Sequence, residues 1–161
     1  MKRVASLLAV LIATTLAGPP LAAAADETLA TAGAGGVYPA GTAFTGIDVT
    51  GVQLGFGAEV HAGGTGLGNF TAVLLGVSGA GTEQRIVIDG EVIGGSRTAE
   101  NVAVLTGRGT LDLGDGTLPT PDVPFTATLT SGANGLGTVG LDIAYTELPA
   151  ATLNAGSLTI Q

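Results

Sequence analysis

At 161 residues the chain is long enough for one domain and a short leader, and 45% hydrophobic content with only 11% charged residues argues against a disordered polymer. Thirteen acidic residues face five basic ones, and beyond residue 25 the only strong cations are Arg85, Arg97 and Arg108. Such a surface is repelled by phosphate backbones and anionic headgroups, so nucleic acid is not an expected partner. The lack of cysteine excludes disulfides, thiolate catalysis and thiolate metal sites.

Residues 1–25 have the layout of an export signal. Lys2 and Arg3 form a basic start, Val4 to Leu16 is a short apolar stretch, Gly18-Pro19-Pro20 breaks any helix, and Ala23-Ala24-Ala25 supplies the small residues that a signal peptidase requires. The apolar stretch is shorter than the roughly 20 residues of a comfortable membrane span. The mature chain is expected to start at Asp26 and to work outside the cytoplasm: secreted, periplasmic or on the cell surface. No second long apolar run follows, so no stable membrane span is expected in the mature chain. Four Phe and two Tyr are too few for the aromatic girdles of an outer-membrane barrel.

Residues 26–45 are rich in Ala, Gly and Thr with little side-chain bulk, and read as a flexible leader or an irregular edge strand. Residues 46–161 read as one antiparallel β domain, because the dominant signal there is period two. Leu54, Phe56, Ala58 and Val60 share a face opposite Glu59 and His61. Phe70 to Val77 is apolar on both faces, as in a strand covered on both sides. Ile86, Ile88 and Val92 oppose Arg85, Asp89 and Glu91, in a segment read as one long strand bent at Gly90. Ala103, Leu105, Leu111 and Leu113 line the next strand. Val123, Phe125, Ala127 and Leu129 oppose Thr126, Thr128 and Thr130. Val139, Leu141, Ile143 and Tyr145 follow, and Leu158 and Ile160 close the chain. Gly-rich turns separate these runs. The fold class is therefore all-β: a single antiparallel β-sandwich or small β-barrel of about 7–8 strands.

The candidate chemical constellations are weak. Gly76-Val77-Ser78-Gly79-Ala80 lacks the second glycine of a nucleophile elbow and no helix follows it, so a hairpin turn explains it better. His61, the only histidine, lies two residues from Glu59 on one strand face, and one histidine does not make a His-rich zinc site. Asp112, Asp115 and Asp122 surround a Gly-rich turn that resembles a calcium loop in its oxygen ligands but lacks the EF-hand spacing. Asp89 and Glu91 share a strand face at a spacing compatible with a glycosidase carboxylate pair, without aromatic platforms for a sugar. The Thr126, Thr128 and Thr130 row is β-favouring surface. Asn69-Phe70-Thr71 matches a glycosylation sequon and is assigned no role.

No catalytic residue, cofactor or metal ligand is assigned. The expected function is an exported non-enzymatic β-scaffold module, structural or adhesive. The alternative is a small β-barrel that binds an apolar ligand. An apolar ligand or self-association are the partners compatible with either reading.

Overall fold

The computed structural model describes residues 27–161, and the expected signal peptide lies outside the described residues. Among the described residues nine strands follow in chain order: β1 (Thr28–Val37), β2 (Ala43–Phe44), β3 (Ile47–Val60), β4 (Gly66–Ser78), β5 (Glu83–Ala99), β6 (Val102–Asp112), β7 (Thr120–Ser131), β8 (Gly137–Ile143) and β9 (Thr146–Ile160). From β3 to β9 each strand pairs with the next, antiparallel throughout. β1 then pairs with β9 on one side and β3 on the other, which closes an eight-stranded barrel with the two-residue β2 appended to β3. Between the two architectures open to the sequence, the chain adopts the barrel. Closure removes both sheet edges and satisfies their backbone groups without a second sheet.

The period-two alternation now has a direction. Inward positions carry Phe70, Ala72 and Leu74 from β4, Ile86 and Ile88 from β5, Ala103 and Leu105 from β6, Phe125, Ala127 and Leu129 from β7, and Val139, Leu141 and Ile143 from β8, all buried. Alanines alternate with larger residues around the wall, so side chains from facing strands interdigitate in a lumen that eight strands leave just wide enough to fill. Phe56 stacks on Phe70 at 5.8 Å between ring centroids, and Phe70 on Phe125 at 4.7 Å. The Phe70–Phe125 contact spans two intervening strands because glycine lies between the rings. Phe70 pairs in register with Gly90, Gly90 with Gly109, and Gly107 with Phe125. A Cβ on Gly107 would collide with the Phe125 ring and the Glu91 carbonyl oxygen. The glycine that bends β5 thus belongs to a floor on which the aromatic rings lie.

Three expectations are revised. Residues 28–37, read as leader or irregular edge strand, form β1, a ten-residue strand paired on both sides. Its inward positions are Thr28, Ala30, Ala32, Ala34 and Gly36, whose small side chains produce almost no hydropathy contrast. The architectural unit therefore begins well before Gly46. Second, the final strand is not confined to Leu158 and Ile160. β9 begins at Thr146, and its buried residues Leu148, Ala151, Leu153 and Leu158 are spaced unevenly. Register shifts against both β8 and β1 absorb the extra residues, and such bulges erase period two. Third, β4 is apolar on both sides but covered on only one. Val73 and Leu75 are half-buried on the outer wall among the side chains of neighbouring strands, and Val77 is exposed.

The two ends of the barrel are built differently. At the end where β1 finishes, residues 38–46 fold back as a cap: the Tyr38 amide donates to the Thr50 carbonyl, the Val49 amide to the Thr42 carbonyl, and Tyr38 and Phe44 are buried. The opposite end is rimmed by the start of β1, the 61–65 loop between β3 and β4, and the turns joining β5 to β6 and β7 to β8.

Candidate functional site

The Thr28↔Val60 pairing that closes the barrel brings the start of β1 beside the end of β3. Three side chains meet on the outside of this seam. His61 Nδ1 lies 3.6 Å from a Glu59 carboxylate oxygen and 3.8 Å from one of Glu27. Glu59 and His61 meet because alternate residues of a strand point the same way. Glu27, the residue just before β1, arrives from the other side of the seam. The three potential ligand atoms all lie within 4.8 Å of one another, the only such group of three among the described residues. His61 is half-buried, and the carboxylates are more open.

Beside the cluster is a cavity of about 390 Å³ at the uncapped rim, lined by Glu27, Thr28, His61, Gly64, Gly95 and Arg97 among others. Backbone hydrogen bonds fix its loop: the His61 amide donates to the Thr65 carbonyl, the Gly64 amide to the His61 carbonyl, and the Gly95 amide to the Gly64 carbonyl. The Arg97 guanidinium donates to the Ala99 and Glu100 carbonyls, so this cation is held to its own turn.

The other candidates are scattered. Ser78 lies at the capped end, in a turn where its hydroxyl accepts from the Thr82 amide at 3.3 Å and its carbonyl accepts from Gly81. His61 is at the opposite end of the wall, so Ser78 and His61 do not form a nucleophile–base pair. The three aspartates expected around one loop have separate roles. Asp112 accepts from the Gly114 amide, and Asp115 accepts from both the amide and the hydroxyl of Thr117. Asp122 forms a two-pronged pair with Arg108. Hydrogen bonds from Thr117 hold the Asp115 carboxyl below its usual range, and those from Arg108 do the same for Asp122. Asp89 accepts from the Thr71 hydroxyl at 2.6 Å, and Glu91 lies two residues along the same exposed face. Thr126, Thr128 and Thr130 stand on the outer wall with Thr138 and Asp142, beside a shallow groove of about 450 Å³.

Sequence reasoning found the Glu59–His61 pair and missed Glu27. No local signal marks Glu27, because its proximity depends on a seam between segments more than thirty residues apart. Comparison with protein-family models, curated protein sequences and solved structures finds no match.

Proposed function

We propose that this chain is an exported, non-enzymatic β-scaffold, structural or adhesive, that meets its surroundings through the outside of the barrel wall. The filled lumen carries this reading. Among the described residues Phe70, Leu74, Leu105, Leu129 and Ile143 are inaccessible to water, so side chains occupy the middle of the lumen where an apolar ligand would have to sit. Charge on the outer wall points the same way. Glu59, Asp89, Glu91, Arg108 and Asp142 occupy outward positions, the reverse of the apolar band that a lipid-facing barrel presents.

Native mass spectrometry of the protein recovered from the medium or the cell envelope tests both parts. The expected species starts at Asp26 and carries no copurifying apolar molecule. A species that starts at Met1 overturns the export reading. A solvent-extractable lipid or other apolar molecule bound one to one overturns the filled scaffold in favour of the ligand-binding barrel.

A further inference from the structure

We propose that Glu27, Glu59 and His61 form a surface site for a divalent transition metal with zinc's ligand preference, clasping the seam that closes the barrel. The spacing carries the argument. Separations of 3.6 and 3.8 Å from His61 Nδ1 are too long for direct hydrogen bonds. They approach the edge of a coordination tetrahedron, about 3.3 Å for ligands roughly 2.0–2.1 Å from zinc. A small side-chain adjustment around one ion would bring all three atoms to bonding distance, since these side chains are not locked by packing.

The donor set selects the ion class. One imidazole nitrogen and two carboxylates suit zinc and its neighbours, whereas calcium takes six to eight oxygens. The electrostatics agree. Two carboxylates approach each other across the seam, and Arg97, a strong cation at the rim among the described residues, is tied to the Ala99 and Glu100 carbonyls. A bound cation would relieve that repulsion. Three protein ligands leave a fourth position open, and the 390 Å³ cavity lined by Thr28, Gly64 and Arg97 lies alongside to receive a water or a small anionic ligand there.

The site also has a structural consequence. Glu27 immediately precedes β1, Glu59 lies in β3 and His61 immediately follows β3, so one ion ties the start of β1 to the end of β3 across the closing seam. Binding to the folded state alone raises its stability.

The test is titration of the metal-free exported protein with ZnCl₂ by calorimetry, paired with thermal unfolding. Expected are one-to-one binding, a rise in Tm that EDTA reverses, and no comparable response to CaCl₂. His61→Ala and Glu27→Gln should each weaken zinc binding by more than about 100-fold, beyond the roughly 10–100-fold that loss of a supporting contact costs. Both side chains are solvent-accessible, and the apo Tm of each variant reports whether it folds. Glu91→Gln, a distant acid on the outer wall, should bind like the parent. No binding at millimolar zinc, unchanged affinity in His61→Ala, or equal loss in Glu91→Gln overturns the proposal.

Discussion

Leu74 and Leu75 are neighbours in β4 with the same side chain and opposite circumstances. Leu74 points into the lumen and is completely buried, while Leu75 lies half-buried on the outer wall opposite Arg85 and Gly51. The same contrast runs around the whole barrel. The inner wall is a close-packed aliphatic and aromatic core, and the outer wall is a mixed surface of threonine, glycine, charge and scattered aliphatic residues. A strand that is apolar on both sides therefore need not lie between two layers. In a small barrel the outer apolar positions are sheltered in part by the side chains of adjacent strands, at modest cost.

The largest expected effect breaks the comparison at this pair. Leu74→Ala should cost about 2–5 kcal/mol, through lost transfer energy and the cavity left behind. Leu75→Asp should cost less, about 1–2 kcal/mol, through the partial burial lost and the poor fit of aspartate to a strand. Urea unfolding of both variants checks this, and a Leu75→Asp protein that fails to fold would show that a covering layer exists on the outer wall.

The next contrast uses glycine. Gly107→Ala places a methyl group against the Phe125 ring and the Glu91 carbonyl, and should destabilise by about 1–3 kcal/mol. Gly57 is exposed on the outer wall, and a Cβ there meets nothing within 4 Å. Gly57→Ala should be neutral or stabilising by up to about 1 kcal/mol, because it restricts the unfolded chain. Thermal unfolding of the two variants should shift Tm in opposite directions or, at the least, lower it only for Gly107→Ala.

Tyr38 sharpens the comparison from the capped end. Its hydroxyl is buried with no hydrogen-bond partner among the described residues, and burial pushes the phenol well above the ordinary tyrosine range. Tyr38→Phe removes an unsatisfied polar atom, so stability should stay level or rise by about 1 kcal/mol. The pH dependence has a definite sign. A pKa raised on folding contributes stability that is fully present below the unfolded value of about 10 and is lost as pH rises beyond it. Stability measured across alkaline pH should fall less steeply in Tyr38→Phe than in the parent.

The smallest effect belongs to the outer wall. Asp122→Asn breaks an exposed pair with Arg108, and exposed pairs contribute little. The carboxyls of Asp115 and Asp122 are both held low by their partners, so their contribution is present above the unfolded carboxylate pKa of about 3.9 and is lost as pH falls through the lower folded values. Denaturation midpoints followed into acid should show a shallower decline for Asp122→Asn, and a decline identical to the parent's would remove the pair from the account of acid stability.

The regular part of the barrel was legible from alternation alone. Phe70, Leu74, Ile86, Ile88, Leu105, Phe125, Leu129 and Ile143 are bulky residues at period two, and each fell on the buried face of a strand in the expected region. β1 was not legible because its inner face carries only Thr28, alanines and Gly36, while its bulkiest apolar residues, Leu29 and Val37, stand on the outer face. β9 was not legible because bulges break its period. The site followed the same division: Glu59 and His61 are joined by strand geometry that any reader of the sequence can apply, and Glu27 by a seam between distant strands.

What the sequence by itself determined is the all-β class, most of the Gly-rich turns and which residues of most strands share a face, because these depend on local periodicity and turn chemistry; Gly94-Gly95-Ser96, which reads as a turn, instead runs inside β5, and Tyr145, which reads as sharing a face with Ile143, stands exposed in the turn before β9. What only the tertiary structure decided is closure: that the weakly patterned β1 seals the sheet into a barrel, that one face of β4 looks outward, and that Glu27 joins Glu59 and His61. Whether a sheet closes on itself or packs against a second one depends on pairings between segments far apart in the chain, and residue periodicity carries no term for the identity of a strand's distant neighbour.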